Sequence, residues 1–254
     1  MKQSRVRLRL RRQKLGMDDN DRSVWEVAEE TKDFATREVA MLVCDVWDRH
    51  WSRGATERAA QLALRITEVL KKGRSNGVNI IHSPAQTMDF YEGTAARDRA
   101  KNAPFANPPT PIEYEAPPHP LEWADGGSDT NQDGTEKVRT RVWTRQIETI
   151  EIDDSLDSVT DDGPEVYNLL QQRGIRHVMY MGIHTNGCIL TRRFAIKAMR
   201  RWGVDVSLFR DLTDAIHNPA SPPYVNHDEA TKLSVAYIEK FWCPSVSSEE
   251  IAYL

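Results

Sequence analysis

The segment Val178-Met-Tyr-Met-Gly-Ile-His-Thr-Asn-Gly-Cys188 constrains the fold more than any other stretch of the chain. Val178, Met179, Tyr180 and Met181 form a short apolar run of the kind a parallel sheet buries on both faces. A sharp turn through Gly182 and Thr185 follows. Beyond it Ile189, Leu190, Phe194, Ala198, Met199 and Trp202 recur mostly at three- and four-residue spacing, which predicts a helix over 188–202. Cys188 therefore lies just past the carboxyl end of a strand, where open α/β sheets hold their ligands. Unbonded N–H groups and the positive end of a helix dipole favour a thiolate there, and the thiolate is the nucleophilic form. Taken alone, the same cysteine is as well explained as a small buried apolar side chain.

The rest of the chain alternates in the same way. Residues 39–44 form an apolar strand that ends at Asp45. Ala59, Leu62, Ala63, Ile66, Val69 and Leu70 mark a helix over 56–72, closed by Gly73 and Gly77. A second strand covers 78–81 and ends at His82-Ser-Pro84. Residues of about 85–137 are rich in Pro, Gly, Asn and Asp and read as one long irregular loop. A third strand is expected over 141–145. A helix then starts at Asp162-Gly-Pro164 and ends at Gly174. After the cysteine strand, a fifth strand covers 204–209, Asn226 and Glu229 form a capping box for a helix to about Phe241, and a short last strand covers 243–246. This order predicts a three-layer α/β/α domain around a mostly parallel, Rossmann-like sheet. Right-handed crossovers put all the strands' carboxyl ends on one edge. Asp45, His82, Arg145, His184 and Cys188 fall near that edge.

At 254 residues the chain can bury one substantial core. The net charge of -4 argues against a whole-domain nucleic-acid binder, and no apolar run is long enough to span a bilayer. Cys44, Cys188 and Cys243 are odd in number and widely spaced, without a disulfide framework or a zinc pattern, which points to a reducing, cytoplasmic setting. Lys2, Arg5, Arg7, Arg9, Arg11, Arg12 and Lys14 crowd the N-terminus with no apolar core region after them, so a secretory signal is not expected. Residues 1–36 read as a basic, disordered extension, with a nucleic-acid or membrane-surface arm, an organelle-targeting segment or a start at Met17 as alternatives. Residues 37–254 form the folded domain.

Each residue at the edge admits two readings. Asp45 suits a general base, or a loop-stabilising carboxylate. Arg145 could set a fixed charge beside a thiolate or an oxyanion, or form a surface ion pair. His82 could orient a substrate, or be a satisfied strand-end histidine. Trp47, Trp51, Tyr91 and Trp143 suit either a pocket wall or the core.

Asp45 after the first apolar strand and Gly182-Ile-His-Thr-Asn-Gly-Cys188 after the fourth resemble the cysteine-hydrolase superfamily of isochorismatases and nicotinamidases. The likeness extends over about 38–246 and includes Asp211-Leu-Thr-Asp214. It implies hydrolysis of a small amide or related carbonyl compound through a thioester-type intermediate. Cys188 would be the nucleophile and Asp45 the base. The likeness places a cis peptide near His184-Thr185 and the oxyanion against backbone N–H groups leading into Cys188. His184 and Thr185 thereby join the substrate and oxyanion site, to which His82 and Trp143 are added as substrate-binding residues from their own positions. It also implies a homo-oligomer.

One departure is plain. The superfamily's third catalytic residue is a lysine at the end of the third strand, where this chain carries Arg145; Lys137 lies upstream in the loop. Arginine holds a charge but does not release a proton at neutral pH. Two alternatives follow: a vinyl-ether hydrolase of the isochorismatase type that uses the Asp as acid, and a small-molecule-binding member that has lost turnover. A third is an interaction protein acting through the basic arm. No metal site and no cofactor are expected, since the loop lacks an Asp-x-His segment. Asp129-x-Asn131-x-Asp133-Gly134 matches the first half of a calcium loop but lacks the closing Glu, and reads as a polar turn. The expected partner is a small-molecule substrate, with no nucleic acid and no membrane.

Overall fold

In the computed structural model, which describes residues 4–121 and 141–252, one eight-stranded sheet organises the chain. The strands are β1 (Arg5–Met17), β2 (Ser23–Ala35), β3 (Val39–Cys44), β4 (Asn79–Ser83), β5 (Ser158–Val159), β6 (His177–Ile183), β7 (Asp205–Asp214) and β8 (Ser245–Val246), in the order β2-β1-β8-β7-β6-β3-β4-β5. Every pairing from β8 to β5 is parallel; only the β1–β2 and β1–β8 pairings are antiparallel. The fold is therefore the expected three-layer α/β/α with a mostly parallel sheet.

The helices are α1 (Arg53–Ser75), α2 (Met88–Tyr91), α3 (Ala95–Lys101), α4 (Gly163–Arg173), α5 (Cys188–Thr191), α6 (Ile196–Arg201), α7 (His227–Phe241) and α8 (Glu249–Ala252). Right-handed crossovers place α1 on one face and α4, α6 and α7 on the other. β3 and β6 are buried along their whole lengths, which is why they read as unbroken apolar runs. No helix among the described residues is long and apolar enough to cross a membrane.

Several expectations are corrected. Residues 5–35 are not disordered: they form a hairpin that extends the sheet. Val6, Leu8 and Leu10 are buried while Arg5, Arg7 and Arg9 point outward, so over 5–10 the basic residues are one side of a period-2 strand. Fully burying each such side chain contributes roughly 1.5–3 kcal/mol. Arg7 pairs with Asp33 at 3.0 Å and Arg9 with Glu29 at 3.9 Å across the hairpin. The turn is closed by Asp18, whose Oδ1 accepts from the amides of Asn20 and Arg22.

Residues 141–145 form no strand. A single bridge joins Trp47 to Gln146, and the pairing on β4 is supplied by Ser158–Val159 instead. The region expected to be wholly irregular contains α2 and α3. The Asp129–Gly134 motif and Lys137 lie outside the described residues.

The helix expected over 188–202 is two short ones. Arg192 closes the last turn of α5 through its amide on the Cys188 carbonyl, then takes an extended ψ of 154°. The break is held from below, because the Tyr180 hydroxyl donates to the Phe194 carbonyl at 2.7 Å. It is also crowded by α4: a Cβ on Gly163 would lie 2.3 Å from the Arg193 carbonyl oxygen. The capping box at α7 is as read, with the Asn226 side chain accepting from the Glu229 amide and Glu229 from the Asn226 amide.

Candidate active site

The site forms where β3 and β6 end side by side. Cys44 pairs with Gly182 at the last rung. A Cβ on Gly182 would lie 2.0 Å from the Cys44 carbonyl oxygen, and its φ is +130°, so only glycine fits. Directly beyond this contact, Asp45 (φ 53°) and His184 (φ 63°) both adopt left-handed backbone. Such outliers in non-glycine residues concentrate at functional sites. Among the described residues the cis peptide is Pro222–Pro223, so the His184–Thr185 bond is trans.

Asp45 is fully buried. Its Oδ1 accepts from the Ala85 amide at 2.7 Å and its Oδ2 from Arg192 Nε at 2.8 Å. The Cys188 thiol lies within hydrogen-bonding reach of the same carboxylate. The His184 ring places Nδ1 3.4 Å from Cys188 Sγ. These four residues make one contiguous cluster.

The electrostatics differ from those expected of a thiolate at a helix start. Burial pushes the Cys188 thiol well above its ordinary value, the Asp45 charge raises it further, and Arg192 only partly opposes this. Helix α5 has four residues, too short to carry a substantial dipole. The resting cysteine is thus a neutral thiol. Burial also raises Asp45, against the stabilising Arg192 charge and the donors on its oxygens. Arg192 itself is raised by Asp45 in spite of its burial. His184 is held well below its usual value by burial and by the nearby His50 and Arg192 charges, so its ring is neutral.

An aromatic wall stands beside the cluster. Trp143 stacks on Trp47 with centroids 4.2 Å apart and planes 12° from parallel. Such a pair contributes about 0.5–1.5 kcal/mol beyond area burial. His50 stacks on Trp143 at 5.6 Å, and Trp47 and His50 meet the His184 ring at 5.8 and 4.9 Å. The Trp143 Nε1 donor is buried and has no hydrogen-bond partner among the described residues.

Of the residues singled out in the sequence, Asp45, Cys188, His184 and Trp143 come together. Three do not join them. Arg145 pairs with Glu148 and lies over the Phe90 ring, 5.2 Å from its centroid. With no strand at 141–145 to aim it, its side chain turns to the surface. His82 is spent in the interior, with Nδ1 3.1 Å from Gln146 Oε1 and Nε2 3.1 Å from Asp157 Oδ2. Thr185 bonds the Thr213 hydroxyl at 2.6 Å, and its amide donates to the Asp214 carbonyl. It anchors the turn and offers no donor to an oxyanion.

Arg192 and His50 were missed. Arg192 stands four residues after Cys188, one helical turn on and so on the same face. That spacing was the available signal. His50 lies in Asp45-Val-Trp-Asp-Arg-His50, six residues past the end of β3 at Cys44.

No family model matches the chain, and no curated protein matches it in sequence. Solved structures share its fold. A cysteine hydrolase from Pseudomonas syringae pv. phaseolicola 1448A superposes with a TM-score of 0.53 at 15% identity, covering 87% of this chain and 95% of that one. An isochorismatase from Pseudomonas putida KT2440 gives a TM-score of 0.50 at 10% identity, covering 84% and 90%. The chain therefore has the isochorismatase-like fold. Identities this low establish the fold alone.

Proposed function

We propose that the protein is a cysteine hydrolase of the isochorismatase-like superfamily that cleaves a small amide or related carbonyl compound. Cys188 is the nucleophile, Asp45 the base, and Arg192 the fixed cation in place of Arg145. The observation that carries this reading is the buried Asp45 carboxylate, clamped at 2.7 and 2.8 Å by the Ala85 amide and Arg192, with the Cys188 thiol against it.

The chemistry follows from the charges. Arg192 and Asp45 form a net-neutral buried pair, so a thiolate beside them would be an uncompensated charge. The thiol gives up its proton to Asp45 only as Sγ bonds to the substrate carbonyl carbon and the charge moves onto the carbonyl oxygen. That oxyanion is met by amides of the turn entering Cys188, such as the first N–H of α5. Protonated Asp45 then returns the proton to the leaving amine. In the second half Asp45 takes a proton from water as it attacks the thioester. The C–S bond then breaks, the acid product leaves, and Asp45 returns the proton to the departing Cys188 sulfur, restoring the thiol and the carboxylate. Arg192 cannot supply protons; it keeps Asp45 ionised between steps. Trp143, with its unbonded Nε1–H, and the neutral His184 ring line the place where substrate would lie.

A second reading rests on the high pKa of Cys188. If the thiol never ionises, Asp45 could act as the acid on a vinyl ether. The test is Cys188→Ala assayed on an amide library and on vinyl ethers. Loss of amide turnover supports the cysteine reading; retained turnover of a vinyl ether sinks it. A variant set that binds ligand but never turns over points instead to the impaired member of the family.

The reading extends to a homo-oligomer. Leu15, Met17, Trp25 and Val27 share one side of the hairpin tip and are 62%, 63%, 43% and 63% exposed. Sedimentation velocity of the full chain checks this. Three free, buried thiols suit a reducing, cytoplasmic setting.

A further inference from the structure

We propose that the cleft between β1, the end of α6 and the end of α7 binds a nucleoside phosphate, with the phosphoryl group between Arg12 and Arg200 and the ring against Tyr114. This goes beyond the hydrolase reading and does not depend on it. The cleft has a volume of ≈ 330 Å³ and is lined by Arg12, Arg200, Arg201 and Lys240, with Tyr114 and Trp242 among its aromatic walls. That volume is at the lower end of the range for small-molecule sites.

The cleft is far from the cluster at Cys188. Helices of a parallel sheet run back against the strands. The carboxyl ends of α6 and α7 therefore lie at the edge where strands begin, opposite the edge where β3 and β6 end.

Its charge is unbalanced. Four cations line it against one lining carboxylate, Glu113. Asp205 engages Arg200 at 3.6 Å, but Arg12 has no carboxylate partner among the described residues. Arg12 and Arg200 line the cleft from β1 and from the end of α6. Lys197 adds a fifth cation behind the wall, 4.9 Å from the Trp242 centroid. Planar guanidinium forks of this kind match phosphate oxygens.

The aromatic side is equally fixed. The Ile112 amide donates to the Arg201 carbonyl at 2.8 Å, and Arg201 Nη2 donates to the Tyr114 carbonyl at 3.3 Å. These bonds tie 112–114 across the end of α6. The Tyr114 ring packs edge-on to Trp242 at 5.1 Å, yet is 42% exposed, while Trp242 is 5% exposed. Tyr114 thus retains an open surface beside the cations, which a nucleobase can cover.

Isothermal titration of the full chain with adenosine 5′-monophosphate, inorganic phosphate and adenosine tests the proposal. The nucleotide should bind more tightly than either part, and weaken with added salt. Arg200→Gln and Arg12→Gln should each weaken it by at least about tenfold. Tyr114→Ala should weaken the nucleotide but not inorganic phosphate. Arg200 is a partly exposed helix-end residue, so its variant keeps the test valid if Arg12→Gln folds poorly. Unchanged nucleotide affinity in Arg200→Gln and Tyr114→Ala would overturn the proposal. So would equal affinity for phosphate and the nucleotide, or affinity lost in Cys188→Ala, which would put the ligand in the catalytic centre.

Discussion

Two buried carboxylates, Asp45 just past the end of β3 and Asp157 just before β5, have similar surroundings and opposite acidities. Each accepts from an arginine, Arg192 at 2.8 Å for Asp45 and Arg74 at 2.6 Å for Asp157. Burial acts upward on both. Asp157 also accepts from His82 at 3.1 Å and from the Asp153 amide at 2.9 Å, and these donors with Arg74 overcome burial and hold it at about 2. Asp45 has one amide, one arginine and a weak thiol donor, and stays raised. The difference lies in how completely the oxygens are satisfied. A saturated carboxylate is locked as structure, whereas Asp45 keeps capacity for a proton.

The arginines repeat the lesson. Arg192 is 27% exposed in its side chain and faces a fully buried carboxylate; Arg145 faces Glu148, which is 74% exposed. Only the first pair excludes enough water for its charge to matter.

Breaking this contrast starts at the nucleophile. Cys188→Ala should lower amide turnover by on the order of 10³-fold or more, read as steady-state kcat. Asp45→Asn should lower kcat by roughly 10²–10⁴-fold while the variant stays folded. Wild-type kcat should show an acid limb above the ordinary Asp value, since Asp45 is raised and works as a carboxylate. Arg192→Gln leaves Asp45 without its cation and should cost about 3–5 kcal/mol of stability by urea melt, with activity lost as well.

Asp157→Asn should do the reverse of Asp45→Asn: stability falls by about 1–3 kcal/mol as His82 and Arg74 lose their acceptor, and kcat holds. A depressed carboxyl stabilises the fold above its unfolded value of about 4. That contribution is lost as pH falls toward about 2, where Asp157 protonates in the folded chain. The variant's melting temperature should therefore vary less across that window than the wild type's. Arg145→Gln should change stability by no more than about 0.5 kcal/mol and leave kcat alone. Loss of activity in Arg145→Gln equal to that in Arg192→Gln would erase the distinction.

Much of this was readable before any coordinates. β3, β4, β6 and β7 announce themselves as apolar runs because parallel strands are buried on both faces. The Asn226 and Glu229 box marks the start of α7. Strand ends place Asp45 and Cys188 at one edge, but each kept a structural reading there, and only the family resemblance singled them out as base and nucleophile. The hairpin is masked by its own charge, since Arg5, Arg7 and Arg9 alternate with Val6, Leu8 and Leu10 and make the stretch read as a polar basic run. The choice of Arg192 over Arg145 was not legible for two reasons. The segment 141–145 lacks the sheet neighbour that would make it a strand, and the break after α5 depends on contacts with Tyr180 and α4 that are distant in sequence. The acidity of Cys188 misled because strand–turn–helix order speaks of dipoles, while burial decides the thiol.

The most direct test is acylation of the resting protein by a p-nitrophenyl ester, followed by release of nitrophenolate and by peptide mass spectrometry. The account predicts an acyl adduct on Cys188, with Cys44 and Cys243 unmodified. It predicts formation slowed by about 10²-fold or more in Asp45→Asn and Arg192→Gln, and unchanged in Arg145→Gln. An adduct on another residue, or a rate that depends on Arg145 and not on Arg192, would contradict it.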